Sequence, residues 1–156
     1  MRAGPVISNS SPLIALGQIG QLHLLEFLFG EVWVPAAVRD EVALTVSLPP
    51  SIMVRPVTQP LAAAVLQTSL GAGESEAITL ALQEKARLVL LADRPARRMA
   101  EALGLPLIGT LGVLSAAKRK GLIPVLRPWL SALDAFHFQV APELARRVLR
   151  DAGELT

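Results

Sequence analysis

The stretch VISNSSPLIAL, Val6 to Leu16, decides how the chain is read. Three apolar or small residues, enough for a short buried strand, run into Asn9, Ser10 and Ser11. An apolar segment opened by Pro12, a residue suited to the first turn of a helix, follows. A buried strand that passes straight into a helix is half of a βαβ unit, and the same grammar recurs downstream. RLVLLAD closes on Asp93 before RPARRMAEAL, and LPLIGT closes on Gly109 and Thr110 before a helix that reaches Lys120. Short apolar strands alternating with helices imply parallel crossovers and a sheet covered on both faces. The expected fold is a three-layer α/β/α domain.

The intervening segments fit that frame. A helix is expected from Ser11, interrupted by Gly17 and Gly20 before a second apolar helix in QLHLLEFLF. EVWV reads as a strand, and Pro35 opens the helix PAAVRDEVAL. IMVRPV reads as an edge strand or extended arm, because Pro56 excludes a central place. Helices are expected near Leu61 to Leu70, Glu74 to Lys85, Val125 to Ala135 and Pro142 to Ala152. The 156 residues, 52% of them hydrophobic, suffice for one domain with a substantial core. The absence of cysteine excludes a disulfide framework and thiolate zinc sites, and points to a reducing cytoplasm. The longest apolar run, Leu22 to Val38, contains His23, Glu26, Gly30, Glu31 and Pro35, so no membrane span is expected.

Charge is unevenly spread. Residues 1–84 hold three basic and seven acidic side chains, whereas residues 85–156 hold twelve basic and six acidic. A polyanion would therefore be felt by the second half.

In open parallel sheets, ligands bind beyond the carboxyl ends of the strands, where strand order reverses. Asn9 and Asp93 both occupy such ends, although each is also a favoured helix N-cap. On the helix after Pro35, Val38, Val42 and Val46 mark one face. Glu41 lies beside that face and Asp40 points away from it. On the helix after GAG, Glu74 projects toward the side marked by Ile78, Ala81 and Leu82, while Glu76 points nearly opposite. First-turn acids also complement the helix dipole. His23 and His137 are isolated among apolar residues and read as structural.

Taken in order, VISNSSPLIAL, VPAAVRDEV, GAGESEAITLAL and LLADRPARRMAEALGLPLIGTLGVLSAAKRKGLI resemble a PIN-domain protein, of the branch of predicted nucleases related to VapC toxins. The resemblance runs from about Val6 to Ile123, with two further helices after it. It implies a five-stranded parallel sheet and a cluster of acids at one end of it. Carried over, the acid positions are Asn9, Glu41, Glu74 and Asp93, with Glu76 as the alternative third acid. Ser11 and Thr110 would orient a carboxylate or a water, and Arg94, Arg97 and Arg98 would hold phosphates. The implied activity is cleavage of RNA with Mg²⁺ or Mn²⁺, hard ions that prefer carboxylate oxygens. A cognate antitoxin and a homodimer are the implied partners.

One position departs from the pattern. Asn9 stands where the family usually places an Asp, and an amide carries no charge and cannot act as a base. Two functions are therefore weighed: a nuclease adapted to Asn9, and a PIN fold retained for binding. A receiver-like phosphoryl acceptor is a remote third.

Overall fold

The computed structural model describes residues 4–155. Its centre is a five-stranded, all-parallel sheet. Strand β1 (Val6–Ser8) is followed by helices α1 (Ser10–Gln18) and α2 (Leu24–Phe29), strand β2 (Val32–Val34), helix α3 (Ala36–Ala43) and strand β3 (Ile52–Val54). Helices α4 (Pro60–Leu66) and α5 (Ala72–Glu84) then lead to β4 (Leu88–Leu90), α6 (Arg94–Ala102) and β5 (Leu107–Ile108). Helices α7 (Thr110–Arg119), α8 (Arg127–Ala135) and α9 (Pro142–Asp151) complete the described chain.

Sheet order is β3-β2-β1-β4-β5. The chain winds outward from β1 through β2 to β3, then crosses back over the sheet with α5 to place β4 on the other side of β1. Val6 lies opposite both Val32 and Leu88, and Ser8 opposite Leu90. All three residues of β1 are buried. Successive strand residues point to opposite faces, so β1 is covered on both sides and the domain has three layers. β3 is an edge strand, as Pro56 requires.

Helix α1 begins one residue earlier than the sequence suggested. Asn9 is its N-cap and Pro12 falls at the third helical position, where a missing N–H is still harmless. Its face carries Ser10, Leu13 and Gly17, at helical spacing. A Cβ at Gly17 would lie 2.5 Å from Val46 Cγ1, so this glycine lets the residues after α3 close onto α1. Helix α5 is buried nearly all round, from Gly73 to Ala81, and is packed by α3 and α4. The three-residue face expected there was misdrawn: Leu82 is 41% exposed, whereas Thr79 and Leu80, outside that face, are buried.

The carboxyl-terminal helices are tied down by Glu154. Its carboxylate accepts from Lys118 Nζ (2.8 Å) and from the backbone N–H groups of Leu126 (2.7 Å) and Arg127 (3.1 Å). Lys118 also donates to Ala152 O. Lys118 thus links the end of α7 to the start of α8 and the residues after α9. Burial pushes the Glu154 pKa up, but Lys118 and the two backbone donors outweigh it and hold the carboxyl below its ordinary value.

A depressed folded pKa stabilises the fold above the ordinary glutamate value, and this contribution is lost as pH falls through the lower folded value. Glu154→Gln is expected to lower the urea midpoint at pH 7. Its deficit relative to the wild type should shrink as pH falls below the ordinary glutamate range and the wild-type carboxyl protonates, a convergence readable in paired denaturation curves.

Candidate active site at the carboxyl edge of the sheet

Strand order reverses between β1 and β4, and the backbone fixes what stands there. Asn9 N–H donates to Leu90 O at 3.0 Å, which extends the β1–β4 ladder by one rung. Asn9 and Asp93, distant in sequence, are therefore brought to the carboxyl ends of adjacent strands.

Asn9 is only 2% exposed, yet its side chain makes no capping bond to α1. Its backbone carbonyl accepts from Ser8 Oγ at 2.8 Å. Ser10, in the first turn of α1, donates to Glu41 Oε1 at 2.5 Å. Glu41 thus looks from α3 toward the sheet edge as its position beside the valine face implied. Asp40 instead pairs with Arg39 in solvent. The first turn of α5 presses onto this pair. A Cβ at Gly73 would run into Glu41 Oε1 and stand 3.4 Å from Ser10 Oγ.

The remaining acids are held individually. Glu74 Oε1 accepts from Gly71 N–H at 2.8 Å, capping its own helix; Gly71 has no side chain to return the bond. Glu76 does not project away from the body of the protein: its Oε1 accepts from Ala37 N–H at 3.4 Å, at the start of α3. Asp93 caps α6 through Ala96 N–H at 3.2 Å. Arg97 Nη1 donates to Leu91 O at 2.6 Å, while Arg94 and Arg98 on the same helix are exposed.

Neither Ser11 nor Thr110, the hydroxyls expected to orient a carboxylate or a water, bonds a carboxylate among the described residues. Ser11 is half-buried with no side-chain bond, and Thr110 is the first residue of α7, whose N-cap is Gly109. Ser10 was missed by the sequence reading. Its signal lay in the α1 face, because Ser10 stands two turns before Gly17 and therefore meets α3 through the same contact.

Carboxylate and amide oxygens suit a hard divalent ion by their chemistry. Their arrangement does not fit one as it stands. Among the described residues no three acidic, histidine or cysteine side chains stand close enough to hold a metal, and Glu41, Glu74, Glu76 and Asp93 each accept from an internal donor.

Gly73→Ala tests the tight approach. Alanine favours a helix interior by about 1 kcal/mol over glycine, and the obstructing atom is the free end of a flexible side chain. The variant should fold with stability within about 1 kcal/mol of wild type but with Glu41 turned out of the pair. Ser10→Ala should then cost measurably less in the Gly73→Ala background than alone, and a double-mutant cycle by urea denaturation reads the difference.

A family model, DUF3368, described as a PIN domain, matches residues 5–154 and so takes in the carboxyl-terminal helices as well as the sheet. No curated protein matches the chain. PIN domains are usually nucleases and generally use divalent metal ions. With its five parallel strands and a family match over nearly its whole length, the chain belongs to the PIN-domain family.

Proposed function

We propose that this protein is a ribonuclease of the PIN class that hydrolyses phosphodiesters of single-stranded RNA, and that it serves as the toxin of a toxin–antitoxin pair. One observation carries the reading: Asn9, Asp93 and the arginine-bearing start of α6 stand together at the β1–β4 switch, with Ser10 and Glu41 joined beside β1. Acidic oxygens and guanidinium groups at one edge are what a phosphodiester substrate needs, the first to handle a water and the second to hold phosphate oxygens.

Mg²⁺ or Mn²⁺ is the expected ion, and binding it would require Glu41, Asp93 and one of Glu74 and Glu76 to leave their present donors. Asn9 offers a neutral carbonyl in place of a fourth charge. Metal affinity is accordingly expected to be weak. A partner surface also fits the reading. No charged residue occurs from 56 to 73, and α4 within it leaves Leu61 77% and Val65 60% exposed, a face suited to a second copy or an antitoxin. Among the described residues no helix is long and apolar enough to cross a membrane.

The same bonds favour a second reading, an RNA-binding PIN domain with little or no turnover, because acids already satisfied within the protein are poorly placed to ligate. Calorimetric Mn²⁺ titration of the wild type, Asn9→Asp and Asp93→Asn, with cleavage of a mixed single-stranded RNA in parallel, separates the two. Asn caps a helix as well as Asp does, so Asp93→Asn removes charge and leaves α6 intact. A nuclease is expected to lose metal binding and cutting in Asp93→Asn, and to gain affinity on the order of tenfold in Asn9→Asp. RNA binding without cutting by the wild type, together with cutting by Asn9→Asp, would favour the binding module.

A further inference from the structure

We infer that Arg97 is a built-in cation of this edge, one that grips an RNA phosphate without any divalent ion. The inference rests on the ribonuclease reading and assigns to one residue what the three arginines of α6 otherwise share. Along the β4–β5 ladder Val89 N–H donates to Pro106 O and Leu91 N–H to Ile108 O. The next rung of a parallel pair would bring Thr110 N–H onto Leu91 O. Thr110 instead opens α7, and Arg97 Nη1 takes the carbonyl at 2.6 Å. A side chain from α6 thus completes the strand end.

Gly109 leaves room for it. A Cβ there would stand 3.2 Å from Arg97 Nη1 and 3.8 Å from Leu91 O. One of five guanidinium N–H groups is occupied; among the described residues the others make no hydrogen bond and no carboxylate pairs with Arg97. Arg97 N–H donates to Asp93 O at 2.9 Å, so cation and acid stand one helical turn apart. A half-buried guanidinium fixed in place and lacking a counter-ion is arranged for an anion from outside, and its planar fork matches phosphate oxygens. Arg94 and Arg98 are exposed and unheld, and would give longer-range attraction only.

Fluorescence anisotropy of a labelled single-stranded RNA in EDTA tests this across a salt series. Arg97→Gln is expected to weaken binding about tenfold and to reduce the slope of log K against log salt by about 0.7. Arg97→Lys should retain the slope, and Arg146→Gln, on the exposed face of α9, should match the wild type. Gly109→Ala crowds the guanidinium from the N-cap of α7 without altering Arg97, and should weaken binding even if Arg97→Gln proves too unstable to measure. Binding by Arg97→Gln or Gly109→Ala within twofold of wild type would overturn the inference, as would wild-type binding that requires Mn²⁺. Cleavage assays with Mn²⁺ on the same proteins separate the two levels. Wild-type cutting with Arg97→Gln binding unchanged removes Arg97 alone, whereas neither binding nor cutting removes the ribonuclease reading too.

Discussion

The pairing of β1 with β4 is the constraint on which the rest of the molecule depends. It is the contact with the longest intervening chain in the sheet, and it cannot form until α5 has carried the backbone across from β3. Every residue of β1 is consequently walled in by a strand on each side and by helices on both faces. The same pairing creates the site. A strand that adds outward in one direction and then in the other leaves a crevice at its carboxyl end, and there the chain places an amide, a hydroxyl and, from β4, an aspartate.

Most of this arrangement was legible in the residues. Strand positions show as apolar runs bounded by glycine, proline or small polar residues, and Pro56 marked β3 as an edge. The valine spacing of α3 placed Glu41 beside the buried face and Asp40 in water, and the bonds to Ser10 and Arg39 follow that division. Three things were not legible, each for a physical reason. α5 is enclosed on nearly every side, so a helix-wheel argument built on a single buried stripe misdirected Glu76. Helix boundaries shift by a residue according to which N–H groups find acceptors, which moved the start of α1 from Ser11 to Ser10. Ser10 and Ser11 are chemically identical, and only the contact between α1 and α3 distinguishes them.

The acids illustrate how one side chain meets two demands. Glu74 and Asp93 sit where a helix dipole and free N–H groups favour a negative charge, irrespective of any substrate. Glu76 performs the same service for α3 from a neighbouring helix. A carboxylate so engaged is oriented at no cost when a ligand arrives, but it must surrender part of its internal bonding to accept one. Glu74, Glu76 and Asp93 are thus structural pieces of helix ends as well as a supply of negative oxygen.

Asn9 bears on this balance. Asn9 is nearly enclosed and makes no cap bond, yet its amide atoms are not among the buried polar atoms left without a partner, so a neutral side chain sits at this strand end without the cost of about 1–3 kcal/mol that an unsatisfied buried amide carries. An aspartate there would add a negative charge to an edge that already carries Asp93 beyond β4 and Glu41 beside α1, and like charges repel. The amide removes that repulsion. It therefore lets the edge stay closed around its own hydrogen bonds without an ion, and it lowers the barrier that a polyanion would meet on approach. On the reading proposed above, a neutral Asn9 and an Arg97 without a counter-ion act in the same direction: away from a strongly negative cage for cations, toward a surface that would tolerate phosphate directly.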